Sequence, residues 1–423
     1  MKLFLENKNF CLLFSARLIT NVGDSMYFIA AMWLVYQLSG SSFYSGLAGF
    51  LTMLPRALQF IIGPILDRYS IKRLLIATQA AQAFFLLIIP IAAWFNLLSV
   101  NLVLIIMPLV SFLNQFSFPA ESALIPQIVE KQQLVQANGL MTFAYQGTET
   151  VFQAIGGLLV MILGAVSLYS ADVMTFLIAI LLFASLILPN HNVSQKNSSM
   201  QMQIHRYFSD LQEGFQIVVH SVIGKMMVAS LVTNFALGAL ISSLPAYGAT
   251  LGGSGMYGLL MGAMAIGSLI GALIAKRFEN KPIGKMLIGG YFIGFCLWMA
   301  AVLSPNPLLT VVLFATSMIA PGCNNVLNFT LIQSIVPRTM LARAMSLVAS
   351  MATCIMPLGS LVGGSLTSLF GPKIIFFVSS FGFLFYSLYV LTMPILRHLP
   401  SAGNADPENY GFPGEVNPIQ EQV

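Results

Sequence analysis

The sequence predicts an all-α membrane protein of twelve transmembrane helices, arranged as two pseudo-symmetric six-helix bundles. Three observations carry this reading. First, the 423 residues are 57% hydrophobic and only 8% charged, whereas soluble domains average about 25% charged residues. A chain so poor in charge cannot cover a water-facing surface of its size. Second, the apolar residues gather into runs of about twenty, each long enough to cross a hydrocarbon core of about 30 Å as a helix. Lipid offers the backbone no hydrogen bonds, so only helical bundles and closed barrels span it. A barrel would show alternating segments of about ten residues, and the runs here are continuous. Third, the chain repeats itself.

The runs cover 10–37, 43–66, 74–95, 100–118, 139–162, 167–189, 223–247, 256–277, 284–303, 308–331, 345–369 and 373–396. Pro119 and Pro321 interrupt the fourth and tenth, which a membrane helix tolerates when neighbours satisfy the freed carbonyl. Some connections are very short, such as Ser39–Ser42 and Leu163–Val166.

The repeat has a constant offset. Ile125–Leu140 aligns with Ile332–Leu347 at a shift of 207, matching Ile125, Ile128, Val129, Leu134, Ala137 and Leu140, with Lys131 opposite Arg338. The stretch from Gly63 aligns with that from Gly271 at a shift of 208, with Arg68 opposite Lys276. Duplicated halves are common in transport proteins of the membrane. The expected organisation is an N-terminal half at 1–190, a polar linker at 191–222, a C-terminal half at 223–397 and a disordered tail at 398–423.

Charge sets the expected orientation. Sixteen Lys and Arg residues lie on the side shared by both termini, and only Lys373 lies on the other. By the positive-inside rule both termini are cytoplasmic, in a bacterial cytoplasmic membrane. A basic face against anionic lipid accounts for the net charge of +5, so no nucleic-acid partner is implied. The first run contains Arg17 and Asp24 and lacks a short apolar core with a small-residue cleavage site, so it reads as a helix and not as a signal peptide. The cysteines (Cys11, Cys296, Cys323, Cys354) form no metal spacing. His191, His205, His220 and His398 fall in the linker or tail region. There is no GxxxxGK[ST], HExxH or GxSxG motif. An enzyme, a cofactor and a metal are therefore not expected, and a monomer is.

Ionisable residues inside a membrane are costly and are functional candidates by default. Asp24, Arg56 and Glu149 each lie roughly 15–21 Å along their helices from the cytoplasmic side. Arg17, Asn21 and Asp24 share one face of helix one, and Gln146, Glu149 and Gln153 share one face of helix five. Polar stripes of this kind avoid lipid. Asp24 and Glu149 are the candidate proton-coupling carboxylates. Burial favours an uncharged carboxyl and a neighbouring guanidinium favours a carboxylate, so movement could switch their charge. The alternative is a fixed Asp24–Arg56 pair that only joins helices one and two. Arg17, Arg56, Asn21, Gln146 and Gln153 are candidates for binding substrate or balancing charge. Glu121 and Asp172 fall near the predicted helix ends, where solvation is cheap, and are expected to be less important.

Between helices two and three stands Gly63-Pro-Ile-Leu-Asp67-Arg68-Tyr-Ser-Ile-Lys72-Arg73. A carboxylate at a helix end can pair with basic groups or dock on another helix's N-terminus. Gly63, Asp67, Arg68, Lys72 and Arg73 are thus expected to form a gating latch. The second-half copy carries Ala275 where Asp67 stands. This loop, with the two six-helix halves, resembles the major facilitator superfamily, although Ser70 replaces a usual Gly. Asn21-Val-Gly23-Asp24, Ala120-Glu121 to Pro126, and Gln136 to Gly139 resemble its macrolide-efflux and enterobactin-exporter branch. The resemblance implies secondary active transport by alternating access, commonly export exchanged for protons. Gly156-Gly157 lies where antiporters of the superfamily carry a Gly-Pro-rich motif, and the Pro is absent here. Proton-coupled export of small amphipathic compounds, of macrolide or multidrug type, is the expected function. The alternatives are a transporter for one defined metabolite such as a siderophore, and a membrane scaffold without transport.

Overall fold

The computed structural model describes residues 7–401, apart from 58–69, 131–132, 189–218, 220, 279, 337–344, 346 and 349. The described residues are almost wholly helical. We number the membrane helices α1 (Lys8–Ser39), α2 (Ser42–Ala57), α3 (Ile71–Trp94), α4 (Val100–Ile128), α5 (134–163), α6 (Ala165–Ala184), α7 (Val222–Leu251), α8 (Ser254–Ile274), α9 (Ile283–Leu303), α10 (Pro307–Ile335), α11 (Ser350–Phe370) and α12 (Pro372–Thr392). Among the described residues, ten of them are apolar and long enough to cross a membrane. The other two are special cases. The described part of α2 stops at Ala57. In α5, two α-helical stretches, Leu134–Thr142 and Thr148–Leu163, flank a π-helical turn, Phe143–Gly147.

Local chemistry sets these ends. Asn7 caps α1 by accepting the backbone N–H of Phe10 at 2.9 Å, which fills one of the orphan donors of a helix start. Gly40 ends α1 at φ 63° with its N–H on the Tyr36 carbonyl. Only a residue tolerant of this left-handed conformation turns the chain so tightly into α2. The breaks in α4 and α10 fall just ahead of the prolines expected to cause them. The turn at 115–116 precedes Pro119, and the turn at Met318 precedes Pro321. Proline has no N–H to bond the carbonyl four residues back, so each helix bends there and then resumes. The fourth run therefore continues to Ile128, ten residues beyond the predicted 118.

The helices fall into two compact units. The first holds Met1–Met200, Ala239–Ala265 and Ser360–Ile375; the second holds Gln201–Gly238, Ile266–Gly359 and Phe376–Val423. In the first unit, α1 is the axis and packs against α6, α5, α2 and α4, while α3 packs against α6 and α4. Parts of α7, α8 and α11 close on it through small residues. A Cβ added at Gly157 would lie 1.7 Å from the Gly258 Cα, and one at Gly46 would lie 2.7 Å from the Gly364 Cα. In lipid, such close backbone approach is a main source of helix association. Beside this contact Tyr257 stacks on Trp33, with centroids 5.6 Å apart, and donates to the Ile29 carbonyl at 3.3 Å. In the second unit, Trp298, Phe314, Phe376 and Phe383 form a buried aromatic cluster.

The Gly157–Gly258 contact leaves no room for a side chain. Gly157→Val should lower stability by about 1–3 kcal/mol through overpacking. Gly289→Ala is the control, because a Cβ there meets nothing within 4 Å. Thermal unfolding of both variants in detergent checks this; equal midpoints would mean that the helices separate without cost.

Candidate functional site

The polar interior of the first unit is built on α1. Arg17 is 4% exposed and Asn21 is 6% exposed. Their one-turn spacing lets the Arg17 Nη2 donate to the Asn21 Oδ1 at 2.7 Å. The other end of the same amide turns to α5. Asn21 Nδ2 donates to the carbonyls of Ala144 at 2.9 Å and Tyr145 at 2.6 Å. Both carbonyls lie in the π-helical turn, where the regular α-helical ladder is interrupted, and the Tyr145 carbonyl also accepts from the Thr148 N–H. The asparagine therefore pins the bulge to α1.

That bulge brings Tyr145 to Arg17. The guanidinium lies 4.2 Å from the ring centroid, a desolvated cation–π contact worth about 2 kcal/mol. The Tyr145 hydroxyl donates to the Glu121 Oε2 at 2.5 Å, and the Arg17 Nη1 lies 3.9 Å from the Glu121 Oε1. Arg17, Tyr145 and Glu121 thus form a ring of contacts joining α1, α5 and α4. The ring is incompletely satisfied. Arg17 Nε and Nη1 and Glu121 Oε1 have no hydrogen-bond partner among the described residues.

Two further carboxylates act on Arg17, those of Asp24 and Glu149. Asp24 is half-buried two turns along α1 and accepts from Asn114 Nδ2 of α4 at 2.7 Å. Glu149 is half-buried at the start of the α-helical stretch that follows the bulge. One more buried carboxyl lies nearby. Asp172 of α6 is fully enclosed and its Oδ1 accepts from the Thr175 hydroxyl at 3.0 Å. It lies against Gly23, where a Cβ would come within 1.9 Å of the Asp172 Oδ1.

The structure thus gathers Arg17, Asn21, Asp24 and Glu149 from the sequence-predicted residues. Arg56 is exposed at the end of the described part of α2. The ion pair among the described residues is Arg17–Glu121, and the side-chain partner of Asp24 is Asn114. The side chains of Gln146 and Gln153 lie outside the described residues, as do Gly63, Asp67 and Arg68. Of the gating loop, Arg73 is exposed, and Lys72 Nζ donates to the Leu186 carbonyl at 2.7 Å. This places a cation at the end of α6, where the helix dipole favours one.

Sequence reasoning misjudged Glu121 and Asp172, which are 1% and 0% exposed. Pro119 made the fourth run end at 118, so Glu121 seemed to follow the helix. In the structure Pro119 only bends α4, and Glu121 lies inside it. Asp172 is buried because Gly23 makes room for it. Tyr145 and Asn114 carried no signal beyond being polar within apolar runs.

Comparisons with known proteins agree with this architecture. Residues 4–415 match the family described as transmembrane secretion effector. The multidrug efflux pump Tap of Mycobacterium tuberculosis is 24% identical over 94% of this chain and 96% of its own. The MFS-type transporter YfmI of Bacillus subtilis is 25% identical over 84% of this chain and 89% of its own. Among solved structures, a bacterial homolog of the human lysosomal transporter Spinster, inward-facing and occupied, superposes with a TM-score of 0.71 at 13% identity, covering 95% of this chain and 97% of that one. An inward-facing bacterial homologue of the iron transporter ferroportin gives 0.68 at 14% identity, covering 90% and 97%. The fold is the major facilitator fold.

The ring around Arg17 makes a stability prediction. Arg17→Ala or Glu121→Ala alone strands a buried charge and should cost about 3–5 kcal/mol, whereas Arg17→Met with Glu121→Leu should cost much less. Tyr145→Phe should cost about 1–3 kcal/mol, the worth of a hydrogen bond to a charged group and of leaving its acceptor unfilled. Thermal unfolding in detergent gives the ranking. A double variant as unstable as the singles would mean that the two groups are not coupled.

Proposed function

The chain belongs to the transmembrane secretion effector family of major facilitator transporters, and from that premise we propose that it exports small amphipathic compounds by alternating access, driven by protons. The observation that carries this reading is the buried pair of Arg17 and Glu121, with half-buried Asp24 and Glu149 acting on the same guanidinium, on α1, α4 and α5. A structural ion pair would be fully hydrogen-bonded, because buried charge is otherwise destabilising. Here both partners keep unfilled positions. A proton on Glu121 would remove the charge opposed to Arg17 and give the carboxyl a donor of its own. Such a change alters the balance of contacts that Arg17 makes with α4 and α5. Differential interaction of this kind is what a ligand needs in order to shift a conformational equilibrium.

In this proposal Asp24 and Glu149 remain coupling carboxylates, and Glu121 joins them. Arg17 is their fixed cation, since arginine does not lose its proton in proteins. Asn21 holds the α5 bulge. The loop with Asp67, Arg68, Lys72 and Arg73 gates, with Lys72 anchored on the end of α6. Multidrug efflux by Tap, a relative over nearly the whole chain, supports a substrate range of amphipathic drugs. The site is proposed to act in a bacterial cytoplasmic membrane with both termini inside, as the distribution of basic residues directs. Its halves are those of the sequence repeat, joined by the 191–222 linker.

Everted membrane vesicles from cells overproducing the protein test this directly. Addition of macrolides, cationic dyes or siderophores to energised vesicles should release protons with the transported class. Glu121→Gln, Glu149→Gln and Asp24→Asn should each abolish that release while the protein still inserts and binds substrate. Release unchanged in all three variants would remove the site assignment, and substrate accumulation without proton movement would remove the coupling.

A further inference from the structure

A second feature lies wholly in the other unit. Between the end of α8, the first half of α9 and α10 is a cavity of about 440 Å³. Its walls include Phe278, Gly289, Ile293, Leu297 and Ile319, and Lys285 is the one charged lining residue among the described residues. Ile293 is 60% exposed, and its neighbour Phe292 is 49% exposed. On a membrane-crossing helix, large exposed apolar side chains face lipid. The cavity therefore opens sideways into the bilayer. Two glycines of α9 create it, since a Cβ at Gly289 meets nothing within 4 Å and one at Gly290 meets only Ala320 at 3.7 Å.

Its shape and charge define the occupant. From Lys285 to Leu297 the groove runs twelve residues of α9, roughly 18 Å, close to the depth of one leaflet of a core about 30 Å thick. The polar floor is partly engaged: Asn324 Nδ2 donates to the Tyr291 and Tyr386 hydroxyls at 3.0 and 3.4 Å, while its Oδ1 has no partner among the described residues. The rest of the described lining is mainly apolar. Lys276, Arg277, Lys281 and Lys285 are all exposed. The stretch 276–285 carries one acid, Glu279, against these four bases. A free anion would meet one exposed lysine and an apolar wall. A cationic amphiphile would meet repulsion at its head. An acyl chain with an anionic head satisfies both ends.

We propose that this groove binds an anionic phospholipid from the leaflet on the Lys285 side, with one acyl chain along α9 and its headgroup at Lys285. The site is separate from the charged group on α1, and its occupation does not depend on the transport reading.

Native mass spectrometry of the full-length protein in detergent tests it, with phosphatidylglycerol or phosphatidylcholine of matched chains added. The wild type should take up phosphatidylglycerol with about fivefold preference, the worth of one lysine at an anionic surface. Lys285→Gln should bring the two lipids to near equality. Gly289→Leu fills the groove without displacing backbone and should reduce retention of both. A preference that survives Lys285→Gln, or unaltered retention in Gly289→Leu, would overturn the site. Displacement of the lipid by inorganic phosphate alone would show a headgroup contact without a chain site and would overturn it as well.

Discussion

A guanidinium that cannot be neutralised sits inside an apolar helix, and the first unit is organised by the need to satisfy it. Arg17 carries its charge at every accessible pH, so burial at 4% exposure must be offset by contacts. Each contact recruits a different helix. Asn21 is on α1 itself, Glu121 comes from α4, and Tyr145 comes from α5. The π-helical turn of α5 belongs to the same solution. Its Ala144 and Tyr145 carbonyls accept from Asn21, that of Tyr145 shared with the Thr148 N–H, and the Tyr145 ring lies over the cation. One extra residue in a helix also rotates everything after it by roughly 100°, so the bulge decides which face carries Glu149. Asn21 therefore links the placement of Arg17 to the placement of Glu149, which follows the carbonyls that it holds.

The contacts are strong in kind but incomplete in number. A cation–π contact and one short hydrogen bond sit beside a 3.9 Å ion pair that leaves donors and an acceptor empty. A fully satisfied network rigidifies its surroundings, and a partly satisfied one keeps a free-energy cost in place. Buried away from water that cost is not relieved, so unmet polar groups on two helices, α1 and α4, favour rearrangement of those helices. The stretch of close glycine contacts between α5 and α8 supplies the opposing rigidity. Geometry of this sort suits an element with two discrete arrangements better than one that deforms gradually.

The helices were legible because lipid imposes one simple rule on length and polarity. Among the described residues ten of them are apolar and long enough to cross a membrane, and the chain's internal repeat was visible in the 207-residue offset. The polar face of α1 was also legible, since a fixed helical period placed Arg17, Asn21 and Asp24 together. What failed was inference across a break in that period. Pro119 signalled an end where the helix only bends, so Glu121 was placed outside it. Nothing in the sequence from Phe143 to Gly147 announces a π turn, because its partner Asn21 lies more than 120 residues away. Asp172 was misplaced for a similar reason: its burial depends on the missing side chain of Gly23 on another helix.

The repeat offset gives the charged site a counterpart. Ile125 matches Ile332, so Glu121 falls opposite Asn328 at the same shift of 207. Asn328 lies in the polar part of the second unit, where the Tyr386 hydroxyl is bonded to Asn324, Asn328 and Ser230, and where Tyr386 stacks on Tyr291 with centroids 4.0 Å apart. Both copies of this helix thus place a polar residue at one register position, buried in α4 and half-buried in α10. In α4 it is a carboxylic acid facing an arginine; in α10 it is a neutral amide among tyrosines. The sequence has no acidic residue within α7–α12. An amide exchanges hydrogen-bond partners without changing charge, whereas an acid changes charge and its pull on every neighbouring helix with one proton. At this register position the neutral copy can exchange partners at little electrostatic cost, and only the acidic copy would change its charge on taking up a proton.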